Sequence, residues 1–511
     1  MFWRKNKKQK TEINENAIVI EDSKNSEQTK LTVVWQVIKN NKGIILAGLV
    51  AIIILLLPSP QPFYFGDRVI ELTLEGQKMI ALLAVIIIIF ITEALPIGGL
   101  VALVYSWVVF LGIGDPKTVA SIFSHDAAWF LIGALMIASV LTKYGLHKRV
   151  LVIIFKIAGN KIRNIVLGIV GFCAIASAFI ADHTIAALML PVVLAIINLL
   201  GGFKKIPNLS KLLLFSIAYG AAVGGLSAPS GGGRNVLMIG FLEDNLGVSI
   251  GFGSWMLMGF PITLILIPII SFWLLKVFKP EVTDLKEAIG QIREEIQVQP
   301  MKRKEWMTVI IFLFILILWI FKSSLGIGMI ALFGSLLFLI FGLAKWEDYQ
   351  KINWGIGLLY FGAVGFGFML RSTGAATWLG AKIALGASSL LNISGGLPMV
   401  GLATGIMTFF TEIMADGPAV ASIGPVMLEL AILTGTDPIV LGVAVAMSSA
   451  FAMTLIIATP PNAIIYGSGY LKAKDFLKAG IGLNLICLVV LMLVVYFWWG
   501  KILNVGIDGF Y

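Results

Sequence analysis

The sequence predicts an all-α polytopic membrane protein with eleven transmembrane helices, two re-entrant hairpins and an inverted repeat. Three observations predict it. The 511 residues are 58% hydrophobic and only 13% charged, with mean hydropathy +0.95, whereas a soluble chain carries roughly a quarter charged residues. Apolar runs recur from residue 43 to residue 499, leaving no polar stretch long enough for a separate core. Two of those runs carry a polar break in the middle, and the two breaks match each other in sequence.

Residues 1–42, opening MFWRKNKKQK, are rich in Lys, Asn, Glu and Gln and predict a disordered cytoplasmic tail followed by a short interfacial helix. The first apolar run lies too far in for a cleavable signal. Residues 43–511 read as one transmembrane unit. A span needs about 20 mostly apolar residues, which places spans near 43–57, 76–97, 98–113, 127–143, 210–242, 252–276, 305–321, 325–344, 354–386, 436–466 and 479–499. The interrupted segments are 164–200 and 398–433.

Charge asymmetry sets the orientation. With the tail cytoplasmic, Lys143, Lys148, Arg149, Lys161, Arg163, Lys204, Lys205, Lys276, Lys279, Lys302, Arg303 and Lys304 fall inside. Asp67, Glu71, Glu75, Asp115, Glu243 and Asp244 then fall outside, as the positive-inside rule requires. An odd number of spans puts the C-terminus outside, and an integral bacterial plasma-membrane protein in contact with lipid follows. The net charge of +10 is scattered between spans rather than gathered on one face, which argues against a nucleic-acid partner. Cys173 and Cys487 stand alone in apolar stretches and predict buried free thiols. His125 and His147 read as interfacial or loop residues, and Trp498 and Trp499 as an interfacial belt.

The repeat rests on three weak matches in one order. IADHTIAALMLPV at 180–192 aligns with MADGPAVASIGPV at 414–426, so Ala415, Asp416 and Pro425 stand 234 residues after Ala181, Asp182 and Pro191. FLIGALMIASVLTKYG at 130–145 aligns with YFGAVGFGFMLRSTG at 360–374, and GGGRN at 231–235 with TPPNA at 459–463. The halves run from about 75 to 278 and from about 303 to 500, and span counting gives them opposite topology. Inverted repeats whose broken segments meet near the midplane characterise secondary transporters. Each interrupted segment can also be read as two full spans with an aqueous loop. The shared AD break and the prolines of the returning arms favour hairpins, because irregular backbone at membrane depth survives only where it is buried or lines a cavity.

ITEALPIGGL at 91–100, FLIGALMIASVLTKYGLHKR at 130–149, Thr411-Glu412 and, most specifically, ATPPNAIIYGSG at 458–469 resemble the divalent anion/sodium symporter family from about residue 75 to the end. The resemblance implies a homodimer working as an elevator, with substrate carboxylates held between two hairpin tips and two Asn-containing loops and a sodium ion at each tip. Carried onto this chain, it implies substrate contacts from Asp182, His183, Gly232, Arg234, Asn235, Asp416, Gly417, Thr459, Pro460 and Asn462. The ion-site equivalents are Ser177, Ala181, Gly231, Thr411, Ala415 and Ala458. The family's tips read Ser-Asn-Thr; here they read Ala181-Asp182-His183 and Ala415-Asp416-Gly417.

The departures carry chemistry. Losing both tip hydroxyls removes hard oxygen ligands that suit Na⁺, so no metal site is assigned. Arg234 supplies a permanent charge with five donors; beside Asp182 it would replace a mobile ion by a tethered one, and His183 would add a donor. An empty site with an unpaired cation crosses a bilayer at high cost, which predicts sodium-independent exchange of dicarboxylates of the succinate, malate, fumarate and 2-oxoglutarate class. The alternatives are Na⁺- or H⁺-coupled dicarboxylate symport through Asp182 and Asp416, and cation/proton antiport. Sequence places no second cation beside Asp416, which would hold a proton, pair with Arg371 or bind Na⁺. Both aspartates can also be read as caps of the hairpin tips. Glu93 and Glu412 read as scaffold bonds. No catalytic triad, zinc cluster or phosphate loop is present in the sequence, so neither an enzyme nor a cofactor is expected.

Overall fold

The computed structural model describes residues 42–96, 98–121, 125–145, 158–284 and 300–505. The expected tail and His147 lie outside the described residues. In chain order the helices are Lys42–Leu56, Leu74–Thr92, Gly99–Phe110, Pro116–Ser121, Asp126–Lys143, Ile162–Ser177, Asp182–Leu199, Pro207–Gly224, Gly233–Leu246 and Phe252–Val277. The second half follows with Arg303–Phe321, Ile327–Ile340, Trp346–Gln350, Trp354–Ser372, Ala375–Leu391, Gly396–Met414, Asp416–Leu433, Pro438–Ser448, Pro460–Tyr466 and Ala473–Val494, the last continuing as a π-helix over Val495–Ile502. A two-stranded antiparallel hairpin, Phe63–Phe65 with Arg68–Ile70, pairs Phe63 with Ile70. Among the described residues nine helices are long and apolar enough to cross a membrane. Helices dominate because, without water, backbone groups must bond within their own segment.

Both interrupted segments fold as two helices joined by a short break, and in each the two arms pack on one another. Three runs expected as single spans are broken as well. The 210–242 run unwinds between Gly224 and Gly233, with a 3₁₀ turn at Pro229–Gly231. The 436–466 run divides into Pro438–Ser448, a 3₁₀ turn at Ile456–Ala458, and Pro460–Tyr466. The 354–386 run turns at Gly374, whose φ of 75° suits glycine. Hydropathy misses such breaks because apolar residues line unwound backbone as readily as helix.

The helix Pro207–Gly224 is buried on every side along most of its length, which explains why its sequence is apolar all round. Gly220 and Gly224 let it approach the first arm, Ile162–Ser177, backbone to backbone. A Cβ at Gly220 would lie 2.8 Å from the Val170 carbonyl, and one at Gly224 only 2.1 Å from that of Ala174. Small residues four apart are the usual means of close packing in lipid.

Polar staples tie the elements. Lys143 meets Asp348 at 2.7 Å, and its ammonium holds that carboxyl below the usual carboxylate range. His125 receives the Ala127 N–H at the start of its helix and meets Asp244 at 2.9 Å. Glu412, expected as a scaffold bond, accepts from the backbone N–H groups of Thr454 and Leu455 and from Asn484 Nδ2, fastening the second segment to the loop before Pro460. Trp499 departs from the expected interfacial belt. It is fully buried and donates to the Met258 carbonyl at 3.1 Å, because the C-terminal helix packs its indole against Phe252–Val277 rather than toward headgroups.

Gly224→Ala is expected to force the two helices apart and lower the melting temperature measured in detergent, by the ~1–3 kcal/mol typical of overpacking. Gly386→Ala is the control. A Cβ there meets nothing within 4 Å, so helix propensity alone should leave stability unchanged or improved by about 0.5–1 kcal/mol.

Candidate functional site

Each interrupted segment presents an aspartate at the first position of its returning helix. Asp182 opens Asp182–Leu199 and Asp416 opens Asp416–Leu433. One oxygen of each accepts the next backbone N–H, from His183 at 2.6 Å and from Gly417 at 2.7 Å. To that extent both serve the helix start, where a carboxylate is favourable. The other oxygen of each turns toward Arg234. The second tip carries backbone strain as well. Ala415 has φ 66° and ψ 161°, a region that costs a residue with a Cβ roughly 1–3 kcal/mol.

The two unwound loops are built alike. Asn235 Nδ2 donates to the carbonyls of Gly225 (2.8 Å) and Ala228 (2.7 Å), and Asn462 Nδ2 to those of Ala452 (3.2 Å) and Leu455 (3.0 Å). In both, the acceptors lie ten and seven residues upstream. Each amide thereby satisfies carbonyls that the broken helix leaves free. The residues that start the following short helices share an extended backbone, Gly232 with φ −157° and Thr459 with φ −142°.

Arg234 is 1% exposed and lies between the two aspartates. Its Nη1 bonds Asp416 and stands 3.6 Å from Asp182 Oδ2, while Nη2 donates to the Ala222 carbonyl at 3.2 Å. The sequence expectation that Asp416 lacks a cation, or pairs with Arg371, is corrected by this arrangement. Arg371 bonds Glu429 at 2.9 Å and the Asn245 carbonyl. It follows Tyr360 by eleven residues on one helix, about 16 Å further along the axis, and so points at a different neighbour. With both carboxylates ionised, the cluster carries one negative charge in excess.

A cavity of about 150 Å³ opens at this cluster. Among the expected residues it is lined by Ala181, Asp182, His183, Gly231, Gly232, Arg234, Ala415, Asp416, Gly417 and Pro460. Leu131, Leu135, Ile356 and Leu359 supply an apolar wall, and Tyr360 a polar point within it. Asn235, Thr459 and Asn462 lie outside the lining and are buried in the loops that shape it. Thr411 donates to the Met407 carbonyl, and Ala458 is fully buried. Among the described residues four buried side-chain oxygens lack hydrogen-bond partners, and apart from Thr142 Oγ1 these are Ser177 Oγ, Asp182 Oδ2 and Asn235 Oδ1. They belong to the first segment and its adjoining loop, and are hard donors of the kind that alkali cations take. Tyr360 is the site residue that sequence reasoning missed. The repeat alignment set it opposite Leu131 without marking either position.

Comparison with known proteins agrees with this architecture. Residues 39–505 match the family described as the sodium:sulfate symporter transmembrane region. The chain is 28% identical over 498 residues to the sodium-dependent dicarboxylate transporter SdcS of Staphylococcus saprophyticus, covering 91% of this chain and 92% of that one. It is 27% identical over 497 residues to the Staphylococcus aureus protein of the same name, with the same coverage. Among solved structures, Neisseria gonorrhoeae MtrF aligns with TM-score 0.55 at 12% identity over 90% of this chain and 94% of that one. Alcanivorax borkumensis YdaH aligns with TM-score 0.53 at 12% identity over 77% and 89%; both likenesses concern the fold alone. The match across nearly the whole transmembrane unit, together with paired breaks and paired Asn loops, makes this chain a member of the divalent anion/sodium symporter family.

Proposed function

We propose that the protein is a secondary transporter that carries small dicarboxylates together with sodium, and not an enzyme. The observation that carries this reading is the position of Arg234 between Asp182 and Asp416. Sodium-independent exchange was expected because a tethered guanidinium would leave the empty site positive. With both carboxylates ionised and His183, 3.5 Å from Asp182, neutral, the pair overcompensates it, so a dianion entering the cavity then meets excess negative charge. Desolvating a dianion there costs many kcal/mol unless mobile cations accompany it. The oxygens of Ser177 and Asn235 that lack hydrogen bonds, with that of Asp182 shared with Arg234, offer such a cation its ligands despite the loss of the tip hydroxyls. The names of the Staphylococcus relatives, sodium-dependent dicarboxylate transporters, support the same substrate class and coupling.

In this reading the interrupted segments are re-entrant hairpins. Two inverted halves would put full-span loops on opposite faces, about 30 Å apart, whereas both breaks reach one guanidinium. Tips, loops and cavity then move together as an elevator within a homodimer, with the N-terminus cytoplasmic and the C-terminus extracellular. The halves 75–278 and 303–500 are the repeats.

Radiolabelled succinate uptake into proteoliposomes tests the coupling. Uptake is expected to follow an inward sodium gradient and to fall to background when potassium replaces sodium. Full-rate counterflow between succinate-loaded vesicles without sodium would instead establish exchange, and uptake driven by a pH gradient alone would assign the coupling ion as a proton held by the aspartate pair. Ser177→Ala should raise the half-saturating sodium concentration about tenfold, equivalent to ~1.4 kcal/mol, and an unchanged sodium curve would remove Ser177 from the ion site. Arg234→Ala leaves two buried carboxylates facing each other and is expected to lose ~3–5 kcal/mol of stability. Adding Asp416→Asn should restore part of that loss, read as the melting temperature in detergent.

A further inference from the structure

Tyr360 belongs to the helix Trp354–Ser372, outside both interrupted segments and both Asn loops, yet its hydroxyl reaches the junction of the two halves. A Cβ at Gly233 would lie 1.7 Å from Tyr360 Oη, and one at Gly417 would lie 3.2 Å from the same atom. The phenol oxygen therefore sits between the loop of the first half and the tip of the second. The side chain is only 4% exposed and faces the cavity that holds Asp182, Arg234 and Asp416. Its hydroxyl forms no hydrogen bond with another described residue.

A hydroxyl that faces a cavity and bonds no described residue is free to donate to whatever enters that cavity. The other donors near the cluster are largely committed. Arg234 Nη1 is bound by Asp416 and Nη2 by the Ala222 carbonyl, its buried Nε being the exception, and the first N–H groups of both tips are bound by the aspartate side chains. Pro418, next in the second tip, has no N–H to offer. At the matching position of the first half Leu131 lines the cavity without a donor, and the polar lining of the first tip comes instead from His183, whose Nδ1 stands 3.5 Å from Asp182.

Resting on the dicarboxylate reading above, we infer that Tyr360 Oη donates a hydrogen bond to one carboxylate of the substrate and is a specificity-determining residue. Gly233 and Gly417 are glycine to leave that hydroxyl its room. The substrate is thereby held asymmetrically, one carboxylate at Tyr360 and its carbon chain along the apolar wall.

Tyr360→Phe removes one oxygen and keeps the ring. It is expected to raise the KM for succinate roughly ten- to hundredfold, the size of one hydrogen bond to a charged group, with the maximal rate, sodium activation and elution profile unchanged. Gly417→Ala gives an independent arm, because among the described residues beyond its own helix backbone and chain neighbours Tyr360 Oη is what its Cβ would meet within 4 Å. Gly417→Ala should raise KM in the wild-type background and leave it unchanged in the Tyr360→Phe background. A Tyr360→Phe KM within twofold of wild type, or a Gly417→Ala effect equal in both backgrounds, would overturn the inference while leaving the transport reading intact. A wild-type protein that takes up no succinate would overturn that reading, and this inference with it.

Discussion

One guanidinium held between two carboxylates organises this molecule. Arg234 stands in the first turn after the loop of the first half, Asp182 just after the first break and Asp416 just after the second, so three helix starts that follow breaks converge on a single charged group. A buried cation must be paired, and the pairing dictates where each break ends. Breaking a buried pair by deleting one partner costs several kcal/mol, whereas the intact pair adds little net stability over apolar packing. The cluster thus fixes position more than it strengthens the fold.

The surroundings are shaped to permit that convergence. The left-handed backbone at Ala415 sets the direction in which Asp416 leaves the first arm, and the strain is tolerable where an ion pair determines the geometry. Gly233 and Gly417 keep Cβ atoms away from the Tyr360 hydroxyl. Gly220 and Gly224 bring the core helix against the first arm, which places the loop carrying Arg234 beside the break carrying Asp182. Asn235 and Asn462 do their work behind the cavity, closing the carbonyls of the unwound loops so that the loops stay rigid without water.

Much of this was legible in the sequence because a repeated chain states its exceptions twice. The AD breaks, the returning prolines and the two asparagines all stood at matched spacings, and the identical carbonyl pattern around Asn235 and Asn462 gives the physical reason for that match. What escaped was whatever breaks the symmetry. Arg234 corresponds to Pro461, so a repeat-based view gave Asp416 no cation, although the same guanidinium reaches both aspartates. Tyr360 corresponds to Leu131, and a tyrosine in an apolar helix looks like packing until it is found lining the cavity. Trp499 fits an interfacial pattern by its position near the chain end, but π-helical winding over Val495–Ile502 turns it inward.

The charge of the cluster bears directly on coupling. A fixed positive charge favours crossing with an anion aboard and opposes crossing empty; a fixed negative excess opposes both, the loaded crossing more, unless cations join. In a low-dielectric cavity each uncompensated charge costs several kcal/mol even after relaxation, so loading in the proposed cycle requires enough mobile cations to offset both the dicarboxylate and the excess aspartate. Leaving empty, the cluster must either keep one cation or cross with its own negative excess. Replacing the family's neutral tip residues by aspartates therefore shifts the burden of neutralisation from the substrate step alone to the return step as well. In the proposed cycle, coupling is then a property of the empty carrier and not only of the loaded one.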